Sequence, residues 1–205
     1  MLSIQTIQPD TLELLKVISA QPEIHETRLV GGTALALQYG HRQSVDLDFF
    51  GRLPEDKDEL IDAVKRVGDV IVLNRSKSIL QMIINQVKVD FVDYSRYPWI
   101  DEPVLGDGFV LASDKDIAAM KVNAIMGRGT RKDFIDLYVL LQHFSLSEIM
   151  GFYQRKYPEY SEYRALLSMT YFDDAEMQDI PRMFIDTPWE SMKKTIIEAV
   201  NAYQK

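Results

Sequence analysis

Residues 30 to 50 read Val30-Gly31-Gly32-Thr33-Ala34-Leu35-Ala36-Leu37-Gln38-Tyr39-Gly40-His41-Arg42-Gln43-Ser44-Val45-Asp46-Leu47-Asp48-Phe49-Phe50. Two glycines introduce a run of helix formers, Thr33 to Tyr39, which Gly40 is suited to stop. An apolar segment, Val45 to Phe50, follows and reads as a strand. Residues i and i+2 of a strand project from the same face, so Asp46 and Asp48 are expected side by side. Aspartate is disfavoured in strands, and two adjacent carboxylates among apolar neighbours are costly unless a cation lies between them. A hard divalent cation such as Mg²⁺ takes carboxylate oxygens and keeps water and substrate phosphates as its other ligands. At the other end of the segment, Gly31 and Gly32 let the backbone approach a ligand closely, and the amides of a helix start favour an anion such as phosphate. Thr33 is expected either to add its hydroxyl to the same phosphate or to cap the helix. A glycine turn beside paired acids points to nucleotide chemistry.

Further partners for this segment come from parity and spacing. Asp90 lies in Val87-Lys88-Val89-Asp90-Phe91-Val92, with Lys88 and Asp90 on the face opposite Val87, Val89 and Phe91. It is the expected third acid of a metal site, as ligand or general base; Asp93 shares the parity of the apolar face. His41 and Arg42 are candidate phosphate contacts, and Arg42 suits the charge that develops on a transferred phosphate. Lys121 shares a helix face with Ile117 and Ile125. Two readings of its surroundings stand open. Lys121, Arg128, Lys132, Asp133 and Asp136 form an interhelical network, or Lys121 and Arg128 face a triphosphate while Asp136 orients a base or the lysine. His25 and His143 lack metal-ligand spacing.

The rest of the chain sets limits. With 23 basic and 31 acidic residues the net charge is −8, which argues against a broad basic nucleic-acid surface, though Lys115, Lys121, Arg128, Arg131 and Lys132 cluster locally. The 205 residues contain no cysteine, which rules out disulfides and thiolate metal sites. No signal peptide is evident at Met1 to Asp10, and no apolar run approaches the roughly 20 residues of a membrane helix, so a cytoplasmic protein without membrane contact is expected.

Helices are expected from Pro9 to near Ala20 and over Glu55 to Val67, with a short strand at Arg28 to Val30. The period then shortens: Asp69 to Leu73, Ser78 to Ile84 and Gln86 to Asp93 read as a strand meander, with turns at Asn74 to Lys77 and Asn85-Gln86. Residues 94–112 are a connection with a short strand at Phe109 to Leu111. Beyond it helices are expected over 113–126, 131–143, 147–156, 159–169 and 189–203. The fold class is α+β, with a mixed sheet and flanking helices in residues 1–110 and a helical domain in 111–205.

The strings Gly31-Gly32-Thr33-Ala34-Leu35-Ala36-Leu37 and Gly40-His41-Arg42-x-Ser44-x-Asp46-Leu47-Asp48-Phe49-Phe50 resemble the AbiEii/AbiGii toxin family of nucleotidyltransferases. Lys121-x-x-Ala124-x-x-x-Arg128-x-x-x-Lys132-Asp133-x-x-Asp136-Leu137-Tyr138 is similar to that family's second block, and Tyr171-Phe172-Asp173-Asp174-Ala175-Glu176 has its character. The resemblance spans about residues 28 to 180. It implies a DNA polymerase β-like nucleotidyltransferase fold, followed by a helical domain. It also implies an NTP substrate, an acceptor at the 3′ end of tRNA or another RNA, and a place in a type IV toxin–antitoxin or abortive-infection system with a cognate antitoxin. Carried over by position, Gly32 and Thr33 bind triphosphate, Asp46 and Asp48 bind metal, and Lys121 and Asp136 match an essential lysine and aspartate.

The expectation is therefore an Mg²⁺-dependent transfer of a nucleoside monophosphate to an acceptor hydroxyl. Asp46, Asp48, Asp90, Lys121 and Asp136 are its catalytic residues, with Asp46, Asp48 and Asp90 as metal ligands. Gly31, Gly32, Thr33, Arg42 and Arg128 contact substrate. The alternatives are a nucleotide-binding regulatory or toxin-complex protein without transfer, and a nucleotidyltransferase acting on a small molecule such as an aminoglycoside.

Overall fold

The structure is a computed structural model that describes residues 1–204. The chain divides into two compact units, residues 1–98 with 102–112, and residues 99–101 with 113–205.

The first unit is built on a mixed seven-stranded sheet, of order β3-β4-β5-β2-β1-β7-β6. Its strands are β1 (Thr27–Leu29), β2 (Leu47–Gly51), β3 (Val70–Arg75), β4 (Ile79–Ile84), β5 (Val87–Asp93), β6 (Val104–Leu105) and β7 (Val110–Leu111). The helices are α1 (Pro9–Ser19), α2 (Gly31–Tyr39) and α3 (Lys57–Lys65). The expected meander is present, with β3, β4 and β5 antiparallel in succession. Asn85 and Gln86 both have positive φ, 48° and 67°, which matches the twist a two-residue hairpin turn needs. β2 then runs parallel to β5 and antiparallel to β1, so it is a central strand. Asp56 caps α3, its carboxylate accepting from the Asp58 amide at 2.8 Å. Gly40 ends α2 in the left-handed conformation, φ 70°, as a C-cap glycine does.

Two boundaries differ from the sequence reading in ways that matter. α2 begins at Gly31 rather than Thr33, so the glycines are its first turn. β2 begins at Leu47, which leaves Val45 and Asp46 outside it. The reason is local: the Asp46 carbonyl accepts from the Thr33 hydroxyl, and the ladder with β5 begins only at Leu47 opposite Val89.

The second unit is helical: α4 (Asp114–Gly127), α5 (Arg131–Leu140), α6 (Leu146–Lys156), α7 (Glu162–Met169), α8 (Asp173–Glu176) and α9 (Trp189–Tyr203). Ser113, Ser145 and Ser161 cap α4, α6 and α7 through hydrogen bonds to their first-turn amides. α8 lies outside the helices expected from sequence, and at four residues it carries too little periodicity to be seen there. Phe134, Phe172 and Trp189 pack together, with ring centroids 4.7 to 6.3 Å apart, which ties α5 to α9. The architecture is α+β. No helix among the described residues is long and apolar enough to cross a membrane.

Candidate active site

The register of β2 on β5 places Asp48 directly opposite Asp90. On the reverse face of the same strands the next pair, Phe49 and Phe91, is buried and stacked with centroids 5.3 Å apart. A slip of one residue would bury the acids and expose the rings, so the phenylalanine pair fixes the acid pair. Two carboxylates on neighbouring parallel strands repel unless something positive lies near.

Asp90 is mostly buried, and its surroundings are lopsided. Gln81, its partner across β4, donates to Oδ2 at 2.9 Å, and the Lys88 ammonium donates to the same oxygen at 3.0 Å. The other oxygen, Oδ1, is buried without a hydrogen-bond partner among the described residues. A buried carboxylate oxygen left in this way is costly for the fold alone. It fits an acid whose second oxygen is reserved for a cation or a proton.

α2 closes on the same acids. Gly31 has φ 70°, and a Cβ there would lie 2.6 Å from Asp48 Oδ2, so both conformation and space require glycine. The Asp48 carboxylate therefore lies against the first turn of α2, where the helix dipole favours negative charge. A Cβ on Gly32 would collide with the Arg42 guanidinium. Arg42 is 2% exposed and donates to the Gln43 carbonyl at 3.0 Å, so it supports the glycine turn from beneath. Thr33 is buried as well. It neither caps α2 nor reaches solvent: its hydroxyl bonds to the Asp46 carbonyl and lies 2.8 Å from the Ser44 hydroxyl. At the third helical position its side chain points inward, so it clamps the loop that delivers Asp46.

Asp46 precedes the strand and is half-buried. The expected three-carboxylate cluster is not preassembled, since no three acidic or histidine side chains among the described residues converge as a ready-made ion site. Asp48 and Asp90 still fit Mg²⁺, which needs only one or two protein carboxylates and completes its shell with water and substrate phosphate. Asp93 is committed elsewhere; its Oδ1 accepts from the Ser95 amide and hydroxyl at 3.1 and 2.7 Å.

In the helical unit Lys121 is 3% exposed, and its ammonium lies 2.6 Å from Asp136 and 3.0 Å from Asp133. Arg128 makes a two-pronged contact with Asp133, Nε to Oδ2 at 2.9 Å and Nη2 to Oδ1 at 3.1 Å. The Thr130 hydroxyl adds a third donor at 2.6 Å and completes a capping box. Burial by itself would push Asp133 up, but Lys121, Arg128 and Thr130 outweigh it and hold this acid well below the usual carboxylate range. The structure thus brings together Lys121, Arg128, Asp133 and Asp136, with Lys132 on the exposed face. Arg128 also borders a cleft of about 470 Å³ lined by Gly129, Ser168, Thr170, Tyr171 and Asp174.

Sequence reasoning sets Lys88 beside Asp90 without a role, and misses Gln81 and the ion pair of Asp116 with Lys156. Lys88 shares the strand parity of Asp90, and the Asn85-Gln86 turn sets Gln81 opposite Asp90, a usable signal. Asp116 and Lys156 are both fully buried and 2.8 Å apart, with the lysine over the Trp99 ring at 4.8 Å. No local pattern in either helix announces that pair.

A family model described as nucleotidyl transferase AbiEii toxin, type IV TA system, matches residues 13–204. An uncharacterised protein of Aquifex aeolicus (strain VF5) is 32% identical over 203 residues, covering 96% of this chain and 97% of that protein. Among solved structures, MenT4, a nucleotidyltransferase toxin from Mycobacterium tuberculosis H37Rv, aligns with TM-score 0.60 at 15% identity over 91% of this chain and 79% of its own. A proposed nucleotidyltransferase from H. pylori aligns with TM-score 0.57 at 19% identity over 95% of both chains. At these identities the two structures report the fold, which is that of the polymerase β-like nucleotidyltransferases.

Proposed function

The chain belongs to the AbiEii family of nucleotidyltransferase toxins of type IV toxin–antitoxin systems, and from that premise we propose that it moves a nucleoside monophosphate from an NTP to the 3′-terminal hydroxyl of tRNA with the help of Mg²⁺. The observation that carries the reading is the in-register pair of Asp48 and Asp90, with a buried Asp90 oxygen that the fold leaves unsatisfied.

Asp48 and Asp90, joined by Asp46, are the residues to hold the metal. When bound, the ion would lower the cost of charge on the attacking and leaving oxygens. The chain supplies the remainder. The first turn of α2, at Gly31 and Gly32, offers its amides to the triphosphate, and Arg42 and Thr33 keep that turn and the Asp46 loop in place. The acceptor oxygen bonds to the α-phosphorus while the bond from that phosphorus to the bridging oxygen breaks, and pyrophosphate leaves. The acceptor proton passes to a site carboxylate oxygen that is not on the metal. Lys121 and Asp136 act as a positioning pair that fixes α4 to α5. Arg128 is anchored on one side by Asp133 and stays largely exposed on the other. A cognate antitoxin is the expected protein partner.

The test is incubation with each labelled NTP, Mg²⁺ and total RNA. Label in the tRNA band with release of pyrophosphate supports the reading. Nucleotide binding without pyrophosphate release contradicts it, and label in a small molecule instead of RNA replaces the acceptor.

A further inference from the structure

Lys88 is a residue to which the reaction above gives no role, and it stands where the metal-site acids meet. It lies two residues before Asp90 on β5, on the same face, with its ammonium 3.0 Å from Asp90 Oδ2. The β2–β5 ladder begins with Leu47 opposite Val89, so the next step back brings Asp46 toward Lys88. Asp48, Asp90 and Lys88 share one sheet face, and the charge of Asp46, just before the start of β2, also reaches Lys88. Desolvation lowers the proton affinity of Lys88, but the hydrogen bond to Asp90 and the charges of Asp90, Asp48 and Asp46 more than reverse this and raise it.

The two donors on Asp90 differ in kind. Gln81 is fixed in register on the neighbouring strand β4 and orients the carboxylate through a neutral amide. Lys88 reaches Asp90 from a side chain that is 47% exposed, while that of Asp90 is 14% exposed. A lysine has a flexible stem and a strongly hydrated head, so it can swing into water without disturbing the strand. Removing it would leave the orientation of Asp90 to Gln81.

We propose that Lys88 is a built-in counter-cation of the acid face, which pairs with Asp90 and offsets part of the charge of Asp46, Asp48 and Asp90 in the metal-free protein, and is displaced when a divalent cation binds. This rests on the metal reading of the same acids. Its consequence is competition: the protein binds its metal more weakly than the acids alone would.

The test is calorimetric titration of the full chain with Mn²⁺ alone, supported by the electron paramagnetic resonance signal of the free ion, for wild type, Lys88→Met, Lys88→Arg and Asp48→Asn. Lys88→Met is expected to bind Mn²⁺ about three- to fivefold more tightly than wild type, the upper end of the scale of losing one partly exposed charge pair. Its metal-free melting temperature falls, and Mn²⁺ raises it by more than in wild type. Lys88→Arg, which keeps the charge, binds Mn²⁺ within about twofold of wild type on the same scale. Equal or weaker binding by Lys88→Met, with binding intact in wild type and lost in Asp48→Asn, overturns the role of Lys88 alone. No binding by any of the four proteins overturns the metal reading and this role with it.

Discussion

In the helical unit, Asp133 and Asp136 are held by Lys121 at 3.0 and 2.6 Å, and Asp116 by Lys156 at 2.8 Å, the whole set buried. In the sheet unit, Asp48 and Asp90 face each other across two strands, Asp90 keeps one buried oxygen without a partner, and the nearest ammonium belongs to the exposed Lys88. Each buried acid of the first set has a cation that cannot leave without cost. The second set is matched by a charge that can leave. Removing one member of a buried pair strands the other in a medium of low polarity, so the helical acids are tied to stability. An acid with an unsatisfied oxygen is costly for the fold alone, which is the ground on which we propose that the sheet acids serve chemistry.

The sharpest way to break this comparison is to neutralise the sheet acids. Asp48→Ala and Asp46→Ala are each expected to lower transfer by about a thousandfold or more, on the scale of the several kcal/mol that metal-assisted charge stabilisation contributes. Their urea unfolding midpoints should stay near that of wild type. Next comes Lys121→Met, expected to lose about 3–5 kcal/mol of stability in urea denaturation because Asp136 and Asp133 lose a buried partner. A variant as stable as wild type would put Lys121 outside the structural set.

Gly31→Ala lies between the two regions in kind. The left-handed backbone costs an alanine about 1–2 kcal/mol, and its methyl meets Asp48 Oδ2 at 2.6 Å, so the carboxylate must shift. A modest fall in midpoint with about a hundredfold loss of transfer is expected, since small misplacements near the chemistry are expensive. The smallest effect is in acid. Asp133 has a depressed pKa in the folded state, so its contribution is complete above the unfolded carboxylate value of about 4 and is lost as pH falls through the folded value. The stability difference between wild type and Asp133→Asn should be constant from pH 8 to about pH 5 and narrow below that. A difference that grows on acidification would contradict the pairing.

The sheet acids were legible because strand parity is a strict rule: Asp48 and Asp90 share a face with one another, and Phe49 and Phe91 share the other. Asp46 was legible as a neighbour but not as a residue outside the strand, because the strand start depends on a hydrogen bond from Thr33, thirteen residues earlier. Sequence makes Arg42 and Thr33 candidate substrate contacts, and the structure buries both. Their burial follows from how α2 lies on its own loop, which composition does not encode. The helical network was visible in the spacing of Lys121, Arg128, Asp133 and Asp136, whereas Asp116 with Lys156 joins helices far apart in sequence and leaves no periodic trace.

The division between the two sets of acids is tested most directly by Asp90→Asn, measured for nucleotide transfer and for urea unfolding on the same preparation. Asparagine keeps the size of the side chain and a donor–acceptor pair for Gln81, and removes only the charge. Transfer is expected to fall by at least about a hundredfold while the unfolding midpoint holds or rises. Transfer that persists at the wild-type rate, or falls only in proportion to a loss of folded protein, would contradict the assignment of this acid to chemistry.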